Sequence, residues 1–301
     1  MKAKIVAKAS CECDGTGLDT DELTMTESGS HSAVDLSDWR ALAKQMIDKL
    51  CDSDRQRMPR IIGVSGSQGS GKSTLARVVV EHLQRRRFSA TAVSLDDFYL
   101  THADRQALGT TVHPLLCTRG VPGTHDTDWL RQVMATLHET THEAAAVRLP
   151  IFDKGTDDRS GQRESLAQVL VLEGWCLGVR AQPKDMLQDS INTLEREEDS
   201  AGVWRAWVNE QIRQHYEPLW RQIDYWVQLK PPGFEQVVLW RGQQEQQIEP
   251  ALRMDPITLG RFIDHYERLT RWQWTSPPLQ PGLTVLLAPD HSVQAVEALT
   301  A

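Results

Sequence analysis

Apolar runs bounded by turn residues recur along the chain as "RIIGVSG", "ATAVSLDD", "VLVLEGW", "DYWVQLK" and "LTVLLAPD". Runs that stay apolar, without strict alternation, predict strands buried on both faces of a sheet. Most are separated by stretches of helical spacing. "STLARVVVEHL" puts Leu75, Val78, Val79 and Leu83 on one face, and "DTDWLRQVMATLHE" does the same with Trp129, Leu130, Val133, Met134 and Leu137. Ahead of the first strand, "DLSDWRALAKQMIDKL" aligns Leu36, Trp39, Leu42, Ala43, Met46, Ile47 and Leu50, with Ser37 as a plausible N-cap. Strands alternating with helices predict an α/β fold with a mostly parallel sheet covered on both faces.

Two departures from this rhythm set the domain organisation. Residues 1–33 are polar, acidic and aperiodic, which predicts a disordered leader before a folded domain over 34–301. Segments about 184–222 and 242–275 interrupt the strand pattern and read as helical insertions. In the first of these Trp204, Trp207, Ile212, Tyr216 and Trp220 follow helical spacing, which favours packing over a ligand cage.

Composition narrows the function without specifying it. With 301 residues, 40% hydrophobic and 25% charged, the chain suits one large domain or two small ones. A net charge of -8 argues against nucleic-acid and membrane-surface partners, which call for a basic face. Five scattered cysteines make no disulfide framework and fit a reducing cytoplasm, and Cys11 and Cys13 lack the second pair a zinc site needs. No stretch is apolar enough to span a bilayer, and the opening apolar run is too short for a signal peptide.

The strongest chemical signal is "GSQGSGKST", in which Gly66, Gly71, Lys72 and Ser73 fit G-x-x-x-x-G-K-[ST] between a predicted strand and a predicted helix. Gly66, Ser67, Gln68, Gly69, Ser70, Gly71, Lys72, Ser73 and Thr74 are therefore expected to bind nucleotide. Backbone N–H groups and the helix N-terminus cradle phosphate, Lys72 reaches the β and γ phosphates, and the Ser73 hydroxyl holds Mg²⁺. No N-K-x-D or L-S-G-G-Q motif points to a GTPase switch or a transporter ATPase.

Two acidic strand ends address what happens to the γ-phosphate. "SLDDFYL" delivers Asp96 and Asp97 to the carboxyl end of a strand, where ligands sit in open α/β sheets. Asp96 is favoured as the base for an attacking hydroxyl and Asp97 as a metal ligand, against the bland alternative of a strand-end turn in which one Asp caps a helix. "VLVLEGW" ends in Glu173, which has the position of a Walker B acid and is expected to hold Mg²⁺ or its water.

Together with "HPLLCTRGVPGTHD", "PIFDKGTDDR", "NTLEREEDSAGVWRAWVN" and "LWRGQQE", these motifs resemble the phosphoribulokinase and uridine kinase group of P-loop kinases. Within that group the likeness is to the plant-type glycerate kinases and their bacterial and fungal relatives, over nearly everything after residue 55. The resemblance implies a three-layer α/β/α P-loop fold with helical lid segments and phosphorylation of D-glycerate by MgATP. It carries the base role onto Asp96 and implies that Arg241, in the helix after "VQLKPP", reaches the phosphates.

A hydroxy-acid acceptor needs a cation for its carboxylate and neutral partners for its hydroxyls. Arg119, Lys154 and Arg159 are the cations available in the polar loops, and His125 is the neutral partner. Asp126 joins them as a site residue, although Asp126 and Thr127 also suit a helix start. Gly120, Pro122 and Gly123 shape the loop. Other acceptors (a nucleoside, pantothenate, a sugar phosphate) and an ATP-binding regulator without an acceptor remain open from the residues alone.

Overall fold

The computed structural model describes residues 36–53, 58–140, 143–250, 253–276 and 281–299. The expected leader over 1–33, with Cys11 and Cys13, lies outside them. In chain order the elements begin with α1 (Ser37–Ser53), β1 (Ile61–Gly66), α2 (Lys72–Arg85), β2 (Ala90–Ser94), α3 (His102–Thr111) and α4 (Thr127–Glu139). A hairpin follows, β3 (Ala145–Asp153) and β4 (Asp158–Ala167), and then β5 (Val169–Gly174). The helical stretch α5 (Thr193–Glu198), α6 (Val203–Gln211) and α7 (Glu217–Trp220) leads to β6 (Tyr225–Lys230). The chain closes with α8 (Phe234–Gln246), α9 (Pro256–Thr275), β7 (Gly282–Leu287) and β8 (Val293–Leu299).

Six strands form one sheet in the order β2-β5-β1-β6-β7-β8, all parallel except β8, which runs antiparallel to β7. Successive side chains on a strand face opposite sides, and here they feed two different cores. Ile61, Leu170, Leu172 and Trp226 pack with Leu130, Val133, Met134 and Leu137 of α4 and with residues of α6 and α9. Ile62, Val64, Val169, Val171, Val227 and Leu229 pack with Trp39, Met46 and Ile47 of α1 and with Leu75, Val79 and Leu83 of α2. The continuous apolar strands are thus explained by burial on both faces, and the layering is helix, sheet, helix.

The apolar-run pattern finds β1, β2, β5, β6 and β7 but neither β8 nor the β3–β4 hairpin. β4, "DRSGQRESLA", is mostly exposed and polar, so its strand character comes from pairing with β3 rather than from burial. Between 184 and 222 the chain is helical from Thr193, with Trp204, Ile212, Tyr216 and Trp220 in the core and Trp207 packed at its edge. The second helical stretch begins at Phe234, and α8 runs straight through residue 242.

Buried ion pairs hold these helices in place. Arg268 of α9 grips Glu195 of α5 with two bonds of 2.6 Å, while its other donors reach the carbonyls of Met186 and Asp189. Arg205 pairs with Asp199 at 2.9 Å, and Asp199 also accepts the backbone N–H of Trp204 and Arg205 at the start of α6. Removing one member of such a pair strands a buried charge. Arg268→Met is expected to lower the free energy of unfolding by about 3 kcal/mol, measured by urea denaturation, with ATP binding little changed.

Candidate active site

β1 ends at Gly66 and α2 begins at Lys72, so the intervening loop lies at the carboxyl edge of the parallel sheet. Gly69 (φ 78°) and Gly71 (φ 85°) occupy the left-handed region, where L side chains are strained. A Cβ on Gly69 would also stand 2.5 Å from Cβ of Trp240 in α8. The loop is braced from three sides. Trp39 of α1 lies 3.3 Å from where a Cβ on Gly71 would be. Trp240 stacks on His291 with ring centroids 4.2 Å apart, and His291 Nε2 donates to the Gly69 carbonyl at 2.8 Å.

Inside this cradle polar groups are buried without a hydrogen-bond partner: Ser67 Oγ, Ser70 Oγ and Glu173 Oε2. Ser73 Oγ donates to Glu173 Oε1 at 2.7 Å, and Lys72 Nζ lies 4.0 Å from Glu173 Oε2. Glu173 is the penultimate residue of β5, opposite Val64 of β1 on one side and Ser94 of β2 on the other. A hydroxyl and a carboxylate converging beside unsatisfied donors fit a phosphate accompanied by a hard, oxygen-seeking cation such as Mg²⁺.

After β2 the chain makes a short 3₁₀ turn, Leu95–Phe98, closed by a capping box. Ser94 Oγ accepts from the Asp96 N–H and the Asp97 carboxylate accepts from the Ser94 N–H at 3.3 Å. Asp97 thus serves the cap, and the residues lining the cavity include Asp96 but not Asp97. Burial raises the Asp97 pKa, with Asp96 adding to the effect.

Asp96 points the other way. Its Oδ1 accepts from Tyr99 OH at 2.9 Å and its Oδ2 from Lys154 Nζ at 2.7 Å. Burial, the largest influence, pushes the Asp96 pKa up. The ammonium groups of Lys154 and Lys72 and these hydrogen bonds outweigh it, holding the group down at about 2.

The loop 118–126 is tied to this turn by backbone pairing: Leu100 N–H donates to Thr124 O at 2.9 Å and Asp126 N–H to Phe98 O at 2.7 Å. The expected site residues on it then separate. Arg119 lines the cavity, lies over the Phe152 ring and pairs with Asp157 in the β3–β4 turn. Asp157 also binds the fully buried Arg105 at 2.9 Å, which fastens the turn to the loop.

His125 sits behind the cavity wall, stacked on Tyr99 at 4.6 Å. Gly123 N–H donates to Tyr216 Oη at 2.7 Å, and His125 Nδ1 shares a hydrogen bond with the same hydroxyl at 2.8 Å. Burial lowers the His125 pKa to about 4 and keeps the ring neutral. Asp126 caps α4 by accepting from Trp129 N–H at 2.9 Å, and its other oxygen takes Arg159 Nη2 at 2.9 Å. Arg159 also donates to Tyr99 O and lies over Trp129. His125, Asp126 and Arg159 thus support the loop 118–126, and the residues lining the cavity do not include them.

The cavity itself is about 420 Å³ and brings Gln68, Gly69, Lys72 and Ser73 together with Asp96, Arg119, Lys154 and Arg241. Arg241 lies over the Phe262 ring and pairs with Glu245 at 2.6 Å. Tyr99, Trp175, Phe262 and Tyr266 complete much of the wall. Of these, Tyr99 and Trp175 stand close in sequence to a motif acid, three residues after Asp96 and two after Glu173. The wall is held by tertiary packing, through contacts such as Tyr266 OH to Arg119 O (3.2 Å) and Trp175 Nε1–H to Gly120 O (3.1 Å). Among the described residues no cluster of three or more His, Cys, Asp or Glu forms a metal site, and no helix is long and apolar enough to cross a membrane.

A phosphate-cradling loop at the edge of a parallel sheet, facing an ionised carboxylate across a cation-lined cavity, defines a P-loop kinase. No family model matches the chain. It is 32% identical over 222 residues to "Uncharacterized kinase mug58" of Schizosaccharomyces pombe, covering 69% of this chain and 78% of that protein. Over 209 residues it is 30% identical to "D-glycerate 3-kinase, chloroplastic" of Arabidopsis thaliana, 65% of this chain but only 42% of the plant protein. The solved D-glycerate 3-kinase from Cryptococcus neoformans superposes with a TM-score of 0.67 at 27% identity, covering 89% of this chain and all of that one. The chain belongs to the family of P-loop kinases these relatives represent.

Two consequences are measurable. Gly69→Ala drives a methyl group into Trp240 and is expected to weaken ATP binding about tenfold or more, read by isothermal titration, while the circular dichroism spectrum stays native. For pH, an unfolded His125 titrates near 6.5 and the folded one near 4, so between these values the unfolded chain binds a proton that the folded chain refuses. The stabilisation is full above pH 6.5 and is lost as pH falls towards 4, by about 1.4 kcal/mol per pH unit. The buried His265, also lowered to about 4, adds a parallel loss. Urea denaturation between pH 7.5 and 4.5 should show this decline, and a shallower one in His125→Asn.

Proposed function

We propose that this kinase transfers the γ-phosphoryl group of ATP to a hydroxyl of D-glycerate, giving 3-phosphoglycerate and ADP. The observation that carries the reading is the joint placement of Lys72, Asp96 and Arg119 on one cavity of about 420 Å³. A nucleotide phosphate on the 66–74 loop, a hydroxyl at Asp96 and a carboxylate at Arg119 fit that arrangement with opposite charges facing each other. The similarity to D-glycerate 3-kinases of a plant and a fungus supports the same acceptor.

In this reading the acceptor oxygen forms a bond to the γ-phosphorus as the bond from that phosphorus to the β,γ-bridging oxygen breaks, and the hydroxyl proton passes to Asp96. Lys72 and Arg241 offset the charge on the phosphates, so catalysis is mainly positioning and electrostatics. Ser73 and Glu173 would hold Mg²⁺, which neutralises phosphate charge when bound. A low pKa suits Asp96 as an acceptor of a proton in flight rather than a reservoir, since it is ionised at every physiological pH.

The aromatic wall favours a second reading, a nucleoside acceptor held by stacking. Against it, Trp175 and Tyr266 are almost fully buried and meet edge to face at 4.8 Å, and Tyr99 is covered by His125 and Phe152. Their faces are engaged with one another, whereas Lys72, Arg119, Lys154 and Arg241 face the cavity.

ADP release from MgATP is expected to depend on D-glycerate and not on uridine or pantothenate, with a product one phosphate heavier than glycerate by mass. Asp96→Asn should lower kcat about a thousandfold with the ATP dissociation constant nearly unchanged. Normal turnover in that variant would remove Asp96 as the base, and dependence on uridine instead would favour the nucleoside.

A further inference from the structure

Both oxygens of Asp96 are engaged, Oδ1 by Tyr99 and Oδ2 by Lys154. A carboxylate oxygen that already accepts one hydrogen bond keeps a further lone pair, so what each partner controls is the approach of an acceptor hydroxyl to that oxygen. The two are built very differently. Tyr99 is 3% exposed, clasped between His125 and Phe152, and its backbone bridges to His125. Lys154 sits on the β3–β4 turn with 63% of its side chain exposed, and its ion pair with Asp96 is its one link to the wall. An ion pair on a long, solvent-reached side chain is weak.

The turn that carries Lys154 is nevertheless fixed. Asp157 binds Arg105 and Arg119, Asp158 accepts the His102 N–H at 3.1 Å, and Gly155 N–H donates to Asp153 at 2.8 Å. The side chain can therefore swing while its root stays in place. Within the same cavity lies Arg119, a second cation that an acceptor's anionic group can meet.

From this geometry we infer that Lys154 is the specificity-determining gate of the kinase: without acceptor its ammonium occupies Asp96 Oδ2, and an anionic group on the acceptor draws it away. Oδ2 is then open to the acceptor hydroxyl. A neutral acceptor, or water, offers nothing in exchange for the carboxylate and leaves the gate shut. Lys154 thereby couples choice of an acid to use of ATP, and suppresses phosphoryl transfer to water, which would yield ADP and inorganic phosphate.

The acid part rests on the proposed hydroxy-acid acceptor, while the suppression of hydrolysis does not, so the test has two arms. The first measures ADP release from MgATP with no acceptor present. Lys154→Met should raise it about tenfold, and Lys154→Arg, which keeps a cation, should restore most of the suppression. An unchanged or lower rate in Lys154→Met overturns the gate.

The second arm compares kcat/KM for D-glycerate and for glycerol, the same carbon skeleton with the carboxylate replaced by an alcohol. In Lys154→Met the preference for glycerate should fall about a hundredfold, with glycerol turnover equal to or above that of the native enzyme. A parallel fall for both acceptors marks a merely structural lysine and overturns the proposal. If the native enzyme ignores D-glycerate, the acceptor reading fails, and the first arm alone decides the gate.

Discussion

A carboxylate kept ionised where burial works against it is the constraint around which the rest of the site is organised. Asp96 lies at the end of β2, on a turn whose own cap is supplied by its neighbour Asp97, so its side chain is free to face inward. Two lysines from distant parts of the chain and a buried tyrosine hold it charged. Each needs its own support. Lys72 is placed by the glycine turns of the nucleotide loop, Lys154 by a hairpin clamped through Asp157, and Tyr99 by a ring stack on a neutral histidine. Three separate loops thus converge on one carboxylate.

Arginine does most of the joining. Arg105 donates to the carbonyls of Leu100, Cys117 and Asp157, and so ties the turn after Asp96, the chain entering the loop 118–126 and the hairpin into one body. Arg159 and Arg268 make comparable multi-point links, to the loop 118–126 and to α5. A planar cation with five donors satisfies several buried carbonyls or a carboxylate at once, which a lysine cannot do. Arg119 and Arg241 face the cavity, but each also leans on an acidic partner and an aromatic ring. The same residue type builds the scaffold and serves the site, and only geometry tells the two uses apart.

That is also the limit of what the sequence discloses. The parallel strands, α1, α2 and α4 follow from apolar spacing because burial itself selects those residues, and the phosphate loop follows because its glycines and lysine have few other uses together. Asp96 is legible from its place at a strand end. Asp97 and Asp126 are not separable from it by type, since a carboxylate that caps a helix and one that faces a substrate are written with the same letter, and Arg159 is likewise not separable from Arg119. Nor does any local pattern announce Tyr266 or Phe262, which reach the cavity from α9. The hairpin escapes notice because β4 is polar and gains its form only from its partner.

The bracing of the nucleotide loop has a consequence for the order in which the protein is made. Trp39, Trp240 and His291 touch the loop from positions that span nearly the whole described chain. A ribosome that has released the loop, its helix and even Asp96 has still not delivered the tryptophan and histidine behind Gly69. The motif is complete in sequence once Thr74 has been added, but the surface that holds its shape is assembled only after residue 291. A nascent chain that stops short of residue 291 therefore carries the motif without all of its bracing.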